Sequence, residues 1–368
     1  MLLIVFCVFI AVVVIQFLYY IVVFGKFSFA KPQNVTPKRV PISVIVCAKN
    51  EEENVKKFVP LLAEQDYHTF EIVLIDDASS DNTLEIFEEF EKQYPNIKLV
   101  KVENNEAFWG NKKFALTLGI KAAKYEYLLF TDADCYPTSK DWITSMSAQF
   151  TQQKNIVLGY GAYEKISNSF LNKIIRFETL LTATQYFSWA KIGKPYMGIG
   201  RNMAYKREEF FKVRGFMDHM KIRSGDDDLF INQAANGDNT TICYVPDSFT
   251  YSTPKTRFKD WFTQKRRHVS TAKHYKLFDR NQLGLFYVSQ LLFLLLPIVL
   301  LAFQYQWIAV VSIIGFRYLF AWLTLGFAAG KLKEKDVMYW FPIIEIVLIF
   351  TQLNVFITNT FSKPVHWK

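Results

Sequence analysis

The sequence predicts an α/β fold in which a mostly parallel central sheet is flanked by helices, with transmembrane helices at the N- and C-terminal ends. Three observations predict it. Short β-branched runs alternate with segments of helical spacing from about residue 41 to residue 135, the pattern of strand–helix units that build a parallel sheet. The chain opens on an uncharged run, "LLIVFCVFIAVVVIQFLYYIVVF" at 2–24, long enough to span a bilayer. Apolar residues make up 51% of the 368, with 35 Phe and 19 Tyr, a richer share than ordinary soluble domains carry.

The formal net charge of +9 suits nucleic acid, an anionic membrane surface or a phosphorylated substrate. Its distribution decides among them. Lys26, Lys31, Lys38 and Arg39 follow the first apolar run, "KDWFTQKRRHVSTAKHYK" precedes the second, and "KLKEKD" follows the third. Basic residues beside hydrophobic segments point to a membrane and away from nucleic acid. Their excess on these connections predicts a cytoplasmic central domain. The four cysteines, Cys7, Cys47, Cys135 and Cys243, form no CxxC pair, which argues against a zinc site and a disulfide scaffold.

Taken in order, residues 1–25 read as an uncleaved anchor, since a signal peptide would need a charged start, a shorter apolar core and a small-residue cleavage site. Residues 26–40 are a linker, Pro-punctuated and without apolar periodicity. Residues 41–254 form the central domain, 255–282 an amphipathic interfacial region, 283–361 two to three further spans and 362–368 a tail. The candidate spans are 285–303, 307–329 and 337–361; the last carries Glu345, Asn354 and Asn359, so it reads either as a span or as an interfacial or re-entrant segment.

Within the central domain "ISVIVCA" (Ile42 to Ala48) is a strand suited to burial on both faces. "KNEEENVKKFVPLLAEQ" turns to helical spacing, with Asn50 a plausible cap and glutamates in the first turn. "FEIVLIDDASSDNT" repeats the pattern, its helix starting near Thr83. "IKLVKVE" and "YEYLLFTDADC" are two more strands, with a helix around 111–123 between them. In such sheets ligands bind at the carboxyl ends of the strands, and here those ends carry Asp76, Asp77, Asp132 and Asp134. Residues 156–250, with an aromatic-rich amphipathic helix and the Gly-punctuated "GKPYMGIGRNMAY", are expected to build an acceptor side rather than to continue the same sheet.

Four stretches could carry chemistry. "LLFTDADC" ends a strand in two aspartates one residue apart, hard oxygen ligands of the kind that Mg2+ and Mn2+ share with substrate phosphates, or simply a solvated turn. "VLIDDASSDNT" caps a helix, and a carboxylate there could accept from ribose hydroxyls or a base N–H. "GDDDLFINQAANG" sets Asp226, Asp227 and Asp228 at a helix start, where the dipole favours them, with Gly237 a natural stop. "WFTQKRRHVSTAKHY" has the composition of an interfacial helix, and Gln264 and Arg267, three residues apart, could reach a pyrophosphate together.

In this order the four stretches resemble membrane-anchored family 2 glycosyltransferases, whose nucleotide-sugar-binding domain has the GT-A fold. "VPISVIVCAKNEEENV" is similar to that family's opening strand and Asn-Glu turn, "VLIDDASSDNT" to VDDGSxDxT, and "GNKKFALTLGI" to GKxxALNxG with Lys112 as its lysine. "TDADC" matches the DxD motif, "GDDDL" resembles GEDxxL and "QKRRH" resembles QxxRW. The resemblance covers about residues 40–270. It implies nucleotide binding by Asp77, Asp76, Lys112 and Asp132, and a Mg2+ or Mn2+ ion on Asp132 and Asp134. It further implies Asp227 as the general base, with Gln264 and Arg267 on the donor's diphosphate. Two positions depart from the pattern: Asp226 stands where the family has Glu, and His268 replaces the Trp of QxxRW.

The expected reaction is an inverting transfer from a nucleotide-sugar, with UDP-sugar favoured as donor, to a membrane-associated acceptor, most readily a lipid. A processive polysaccharide synthase of the same family, a nucleotidyltransferase and a non-catalytic nucleotide-binding subunit are the alternatives. The nucleotidyltransferase reading lacks a Gly- and Lys/Arg-rich loop after the first strand, where "CAKNEEENV" is acidic.

Overall fold

The computed structural model describes residues 1–34, 36–103, 112–222 and 224–362. They divide into two compact units. One comprises Pro32–Lys165 and Gly193–Pro254; the other comprises Met1–Lys31, Ile166–Ile192 and the chain from Lys255 on.

The first unit is built on ten strands among the described residues: β1 (Ile42–Ala48), β2 (Phe70–Asp76), β3 (Ile97–Lys101), β4 (Tyr127–Asp132), β5 (Cys135–Pro137), β6 (Ile156–Leu158), β7 (Gly161–Tyr163), β8 (Met203–Lys206), β9 (Thr240–Ile242) and β10 (Thr250–Ser252). Seven make the main sheet in the order β3-β2-β1-β4-β8-β6-β9, and β5-β10-β7 form a small second sheet. β1 lies between β2 and β4, parallel to both, and β2 is parallel to β3. β8 runs antiparallel to β4 and β6, while β6 and β9 are parallel. The sheet is therefore mostly parallel, and β1 is covered on both faces, with Val44 and Val46 buried on one and Ile45 on the other.

One face of the sheet packs Val44, Val46, Ile72, Leu74 and Leu129 against the helices Glu52–Ala63, Thr83–Gln93 and Trp142–Ser147 through Val55, Val59, Phe87 and Trp142. The buried Trp142 indole donates to Asn202 Oδ1 at 3.1 Å, and Asn202 in turn donates to the carbonyls of Tyr160 and Ser248.

Three expectations change. Asn50 is not the cap of the first helix; Glu51 is, because Asn50 takes a left-handed φ of 55° and spends its Oδ1 on the Ser80 N–H at 2.8 Å. The helix after the three aspartates stops at Ala234 instead of running to Gly237. Residues 156–250 do continue the sheet, contributing β6, β8 and β9. These strands are three or four residues long, too short for alternation to reveal them. The helix expected around 111–123 spans Lys112–Ala122, and Gly110 and Asn111 of its motif lie outside the described residues.

Among the described residues, the second unit has four helices long and apolar enough to cross a membrane: Leu2–Ser28, Leu277–Ala302, Trp307–Lys331 and Lys335–Phe361. The last segment, ambiguous in the sequence because of Glu345, is thus of spanning length. Its Glu345 is 2% exposed and paired with the fully buried Arg317, whose Nη1 donates to Glu345 Oε2 at 2.7 Å. Gln16 accepts from Arg317 and donates to the Ser289 carbonyl, and Gln290 donates to Glu345. Each of the four helices contributes to this network, so the polar groups satisfy one another rather than facing lipid. The aromatic-rich helix Phe170–Lys191 belongs to this unit, N-capped by the Ser169 hydroxyl on the Asn172 N–H. Its buried Arg176 pairs with Glu334, just before the last helix, and with Asp336 at that helix's start.

Candidate active site

In the main sheet the chain moves outward from β1 to β2 and β3, then returns to the opposite side of β1 as β4. At this switch the loops leaving the strands part, and the crevice at their carboxyl ends is where such sheets bind ligands. The register sets Asp76 of β2 opposite Ala48 and Asp132 of β4 opposite Cys47, so both carboxylates lie at the ends of strands flanking β1.

The loops after β1 and β2 are tied together. Asn50 N–H donates to Ser79 Oγ at 3.0 Å, Glu51 N–H to Thr83 Oγ1 at 2.9 Å and Glu52 N–H to Asp81 Oδ2 at 3.2 Å. The Ser/Asp/Asn/Thr cluster thus braces two loops as well as starting a helix. Asp76 and Asp77 are both buried. Asp76 Oδ2 accepts from the Ser79 N–H, while its Oδ1 has no hydrogen-bond partner among the described residues. Burial and the neighbouring Asp76 push the Asp77 carboxyl above its usual range, opposed by Lys49 and Lys112.

The helix Lys112–Ala122 lies close against the sheet at Gly119, where an added Cβ would meet Ile75 Cδ1 at 2.1 Å. From its first turn Lys112 Nζ reaches Asp132 Oδ1 at 2.7 Å and Asp226 Oδ2 at 3.0 Å. Burial alone would lower the Lys112 ammonium, but these carboxylates outweigh it and raise it well above the ordinary value. The partner of Asp226 is therefore a lysine, a contact that the sequence did not suggest.

Asp132, Asp134 and Cys135 each present a ligand atom within 4.8 Å of the others. Cys135 donates to Asp134 Oδ1, and burial and the nearby carboxylates hold it as a thiol. The donors left to a cation are then carboxylate oxygens, which fit Mg2+ or Mn2+. Arg201, whose charge also acts on Asp134, donates to the carbonyls of Gly161 and Ala162 and to Ser252 Oγ, and its guanidinium stacks 4.2 Å from the Tyr163 ring.

The three adjacent aspartates divide their tasks. Asp226 faces Lys112, which holds its carboxyl below the usual range although burial alone would raise it. Asp227 is the N-cap of the helix Asp228–Ala234; its Oδ1 accepts from the Asp228 N–H and its Oδ2 from the Gly200 N–H, both at 2.7 Å. Burial first, and then Asp226 and Asp228, push its carboxyl up to about 8 despite those two bonds. The buried Asp228 accepts from the Leu229 N–H. Gly225 turns the chain into this cluster at a φ of 92°.

Asp76, Asp77, Lys112, Asp132, Asp134, Asp226 and Asp227 all belong to the sheet unit. Gln264, Arg267 and His268 lie on the helix Phe258–Val269 of the membrane unit, whose Lys265 pairs with Glu178 at 2.7 Å and whose Arg266 donates to Asn359 Oδ1. Sequence reasoning missed Arg201, Gly200 and Lys113. An arginine inside "GIGRNMAY" was the one available signal for the first; nothing marked the other two.

A mostly parallel sheet that gathers acidic side chains and a lysine at its strand ends defines a GT-A-like α/β protein. The mannosyltransferase PcManGT of Pyrobaculum calidifontis, solved in complex with GDP-Man and Mn2+, shares that fold at a TM-score of 0.61, with 18% identity over 95% of this chain and 99% of that one. The chain belongs to glycosyl transferase family 2, whose model matches residues 43–227. It is 41% identical over 93 residues to a poly-beta-1,6-N-acetyl-D-glucosamine synthase of Staphylococcus epidermidis, a match covering 25% of this chain and 21% of the synthase. It is 23% identical over 226 residues to the poly(ribitol-phosphate) beta-glucosyltransferase of Bacillus spizizenii, covering 57% of this chain and 35% of that enzyme. Both matches thus span well under two thirds of the relative's own length.

Proposed function

We propose that the protein is an inverting, metal-dependent glycosyltransferase that moves a sugar from a UDP-sugar to a lipid acceptor at the membrane, with its sheet domain in the cytoplasm. The observation that carries this reading is Lys112 paired to both Asp132 and Asp226, with Asp227 next in the chain, at the switch point of a family 2 fold.

Asp132 and Asp134 would hold Mg2+ or Mn2+, which when bound offsets the charge growing on the departing diphosphate. Asp76 and Asp77 are suited to the nucleoside: the free Oδ1 of Asp76 is a buried acceptor for a base N–H or a ribose hydroxyl. Lys112 keeps Asp132 and Asp226 from repelling one another. Asp227 takes the proton of the acceptor hydroxyl as that oxygen attacks the anomeric carbon. The new C–O bond forms on the face opposite the breaking one, which inverts the centre and needs only one protein base. Gln264 and Arg267 would contact the diphosphate, and Asp226 and His268 have supporting roles.

A lipid acceptor is supported by four helices of spanning length and by Phe258, Trp261 and Phe262 interleaved with basic residues on the helix Phe258–Val269. The Lys and Arg excess on the connections supports the cytoplasmic side. The 41% match to a polysaccharide synthase favours a second reading, repeated transfer to a growing glycan.

One experiment tests both readings. The purified full chain, in native-lipid extract with Mn2+, is offered a panel of UDP-sugars and GDP-mannose; nucleoside diphosphate release and product mass are measured. Release with a UDP-sugar and a lipid heavier by one sugar are expected. A ladder of products would favour the polysaccharide reading, and no release with any donor would overturn glycosyl transfer.

A further inference from the structure

Lys113, next to the pairing lysine, is fully buried. The charges of Asp226, Asp228 and Asp227 act on its ammonium, while its hydrogen bonds go to the backbone. It donates to three backbone carbonyls, those of His219 at 2.8 Å, Ile222 at 2.7 Å and Ser224 at 2.8 Å. An ammonium has three N–H donors, and among the described residues three acceptors of one segment meet it. Carbonyls in a loop would ordinarily go to water; here one side chain from a helix collects them.

The segment so held leads directly into Gly225, Asp226 and Asp227. Ser224 is followed by Gly225 in the left-handed region, where an added Cβ would meet Leu229 Cδ1 at 2.4 Å, so only a glycine, itself conformationally free, fits the turn. Holding the Ser224 carbonyl therefore sets the direction in which Asp226 and Asp227 leave. The two lysines act on the same loop from one helical turn: Lys112 takes the Asp226 carboxylate, and Lys113 takes the backbone before it. Two cations in the first turn of a helix oppose its dipole, so their placement there needs the partners that Asp132, Asp226 and the loop carbonyls supply.

We propose that Lys113 is a positioning residue that clamps the backbone before the three aspartates and so fixes Asp227 for proton abstraction. The proposal rests on the reading of Asp227 as the base. Lys113 touches neither donor nor acceptor in this scheme, so its loss should act on the chemical step and leave donor affinity intact.

The test compares wild type with Lys113→Met in the full chain, measuring donor affinity by calorimetry with UDP and Mn2+, kcat for transfer, and backbone hydrogen exchange. Expected are a fall in kcat of about 100-fold, as for a reacting group displaced by ~1 Å, and UDP affinity within about threefold. Exchange should speed up in peptides spanning 216–231 and not across β1, β2 and β4. Should Lys113→Met not fold, Lys113→Arg, which keeps the charge but alters its reach, is put through the same comparison. Unchanged kcat, equal losses in affinity and kcat, or unchanged exchange at 216–231 would overturn the clamp. If wild type transfers no sugar, the glycosyltransferase reading fails, and the exchange comparison by itself decides whether Lys113 holds the loop.

Discussion

Replacing Asp227 by Asn separates its two tasks, accepting a proton and capping a helix. Both carboxylate oxygens accept a backbone N–H at 2.7 Å, from Gly200 and from Asp228. An amide keeps one of these acceptors and turns an N–H2 toward the other donor, which costs about 1–3 kcal/mol for the group left unpaired. Against this, the variant removes a carboxylate that burial, Asp226 and Asp228 have pushed from 3.8 to about 8. Because the folded value lies above the unfolded one, its stabilising contribution is whole below pH 3.8. It is lost, by up to about 1.4 kcal/mol per pH unit, as pH rises through about 8. The unfolding free energy of wild type should therefore decline relative to the variant across that window, measured by urea titration at several pH values. Transfer requires the ionised form, so kcat/KM of wild type should climb with pH until about 8. Loss of a general base removes about 10²–10⁴ in rate, roughly 3–5 kcal/mol of barrier, while UDP affinity stays within about threefold. Residual transfer above about a tenth of wild type, or a variant with the same rise in its pH profile, would refute the assignment.

Other outcomes follow from the same geometry. Chelation by EDTA should abolish transfer and added Mn2+ restore it, whereas Asp134→Asn should stay inactive at any Mn2+ concentration; restoration of that variant would remove Asp134 from the cation site. Lys112→Met leaves Asp132 and Asp226 to repel one another unpaired, so calorimetry should find UDP binding with Mn2+ weakened by at least about tenfold, the effect of 1.4 kcal/mol; unaltered binding would contradict a role for the pair. Arg317→Met strands the buried Glu345 among the spanning helices and should cost about 3–5 kcal/mol, read as a lower unfolding temperature in detergent. The double variant Arg317→Met/Glu345→Leu should recover most of that loss. Gly225→Ala forces a side chain into a φ of 92° and against Leu229, and should lower both the unfolding temperature and kcat.

How much was legible depended on the range over which each signal acts. β1, β2 and β4 were readable because a strand buried on both faces is a run of Val, Ile and Leu. β6, β8 and β9 were not, because three or four residues carry no period and their place is set by neighbours far along the chain. Asp227 was singled out by its motif and its adjacent acids, yet the main cause of its raised carboxyl is burial, which belongs to the folded chain. Glu345 made the last segment look doubtful until Arg317, 28 residues earlier, was found against it.

The sequence by itself determined the family, the α/β class, the four apolar segments and the acidic residues at the strand ends, since each is written in local composition and spacing. Only the tertiary structure decided which groups share a charge. Lys112 joins Asp132 to Asp226, and Lys113 collects three carbonyls from residues more than a hundred positions away. Local periodicity can report which face of an element is buried. The partner of a buried cation is fixed by where other elements bring their oxygens, and that information exists only once the chain has folded.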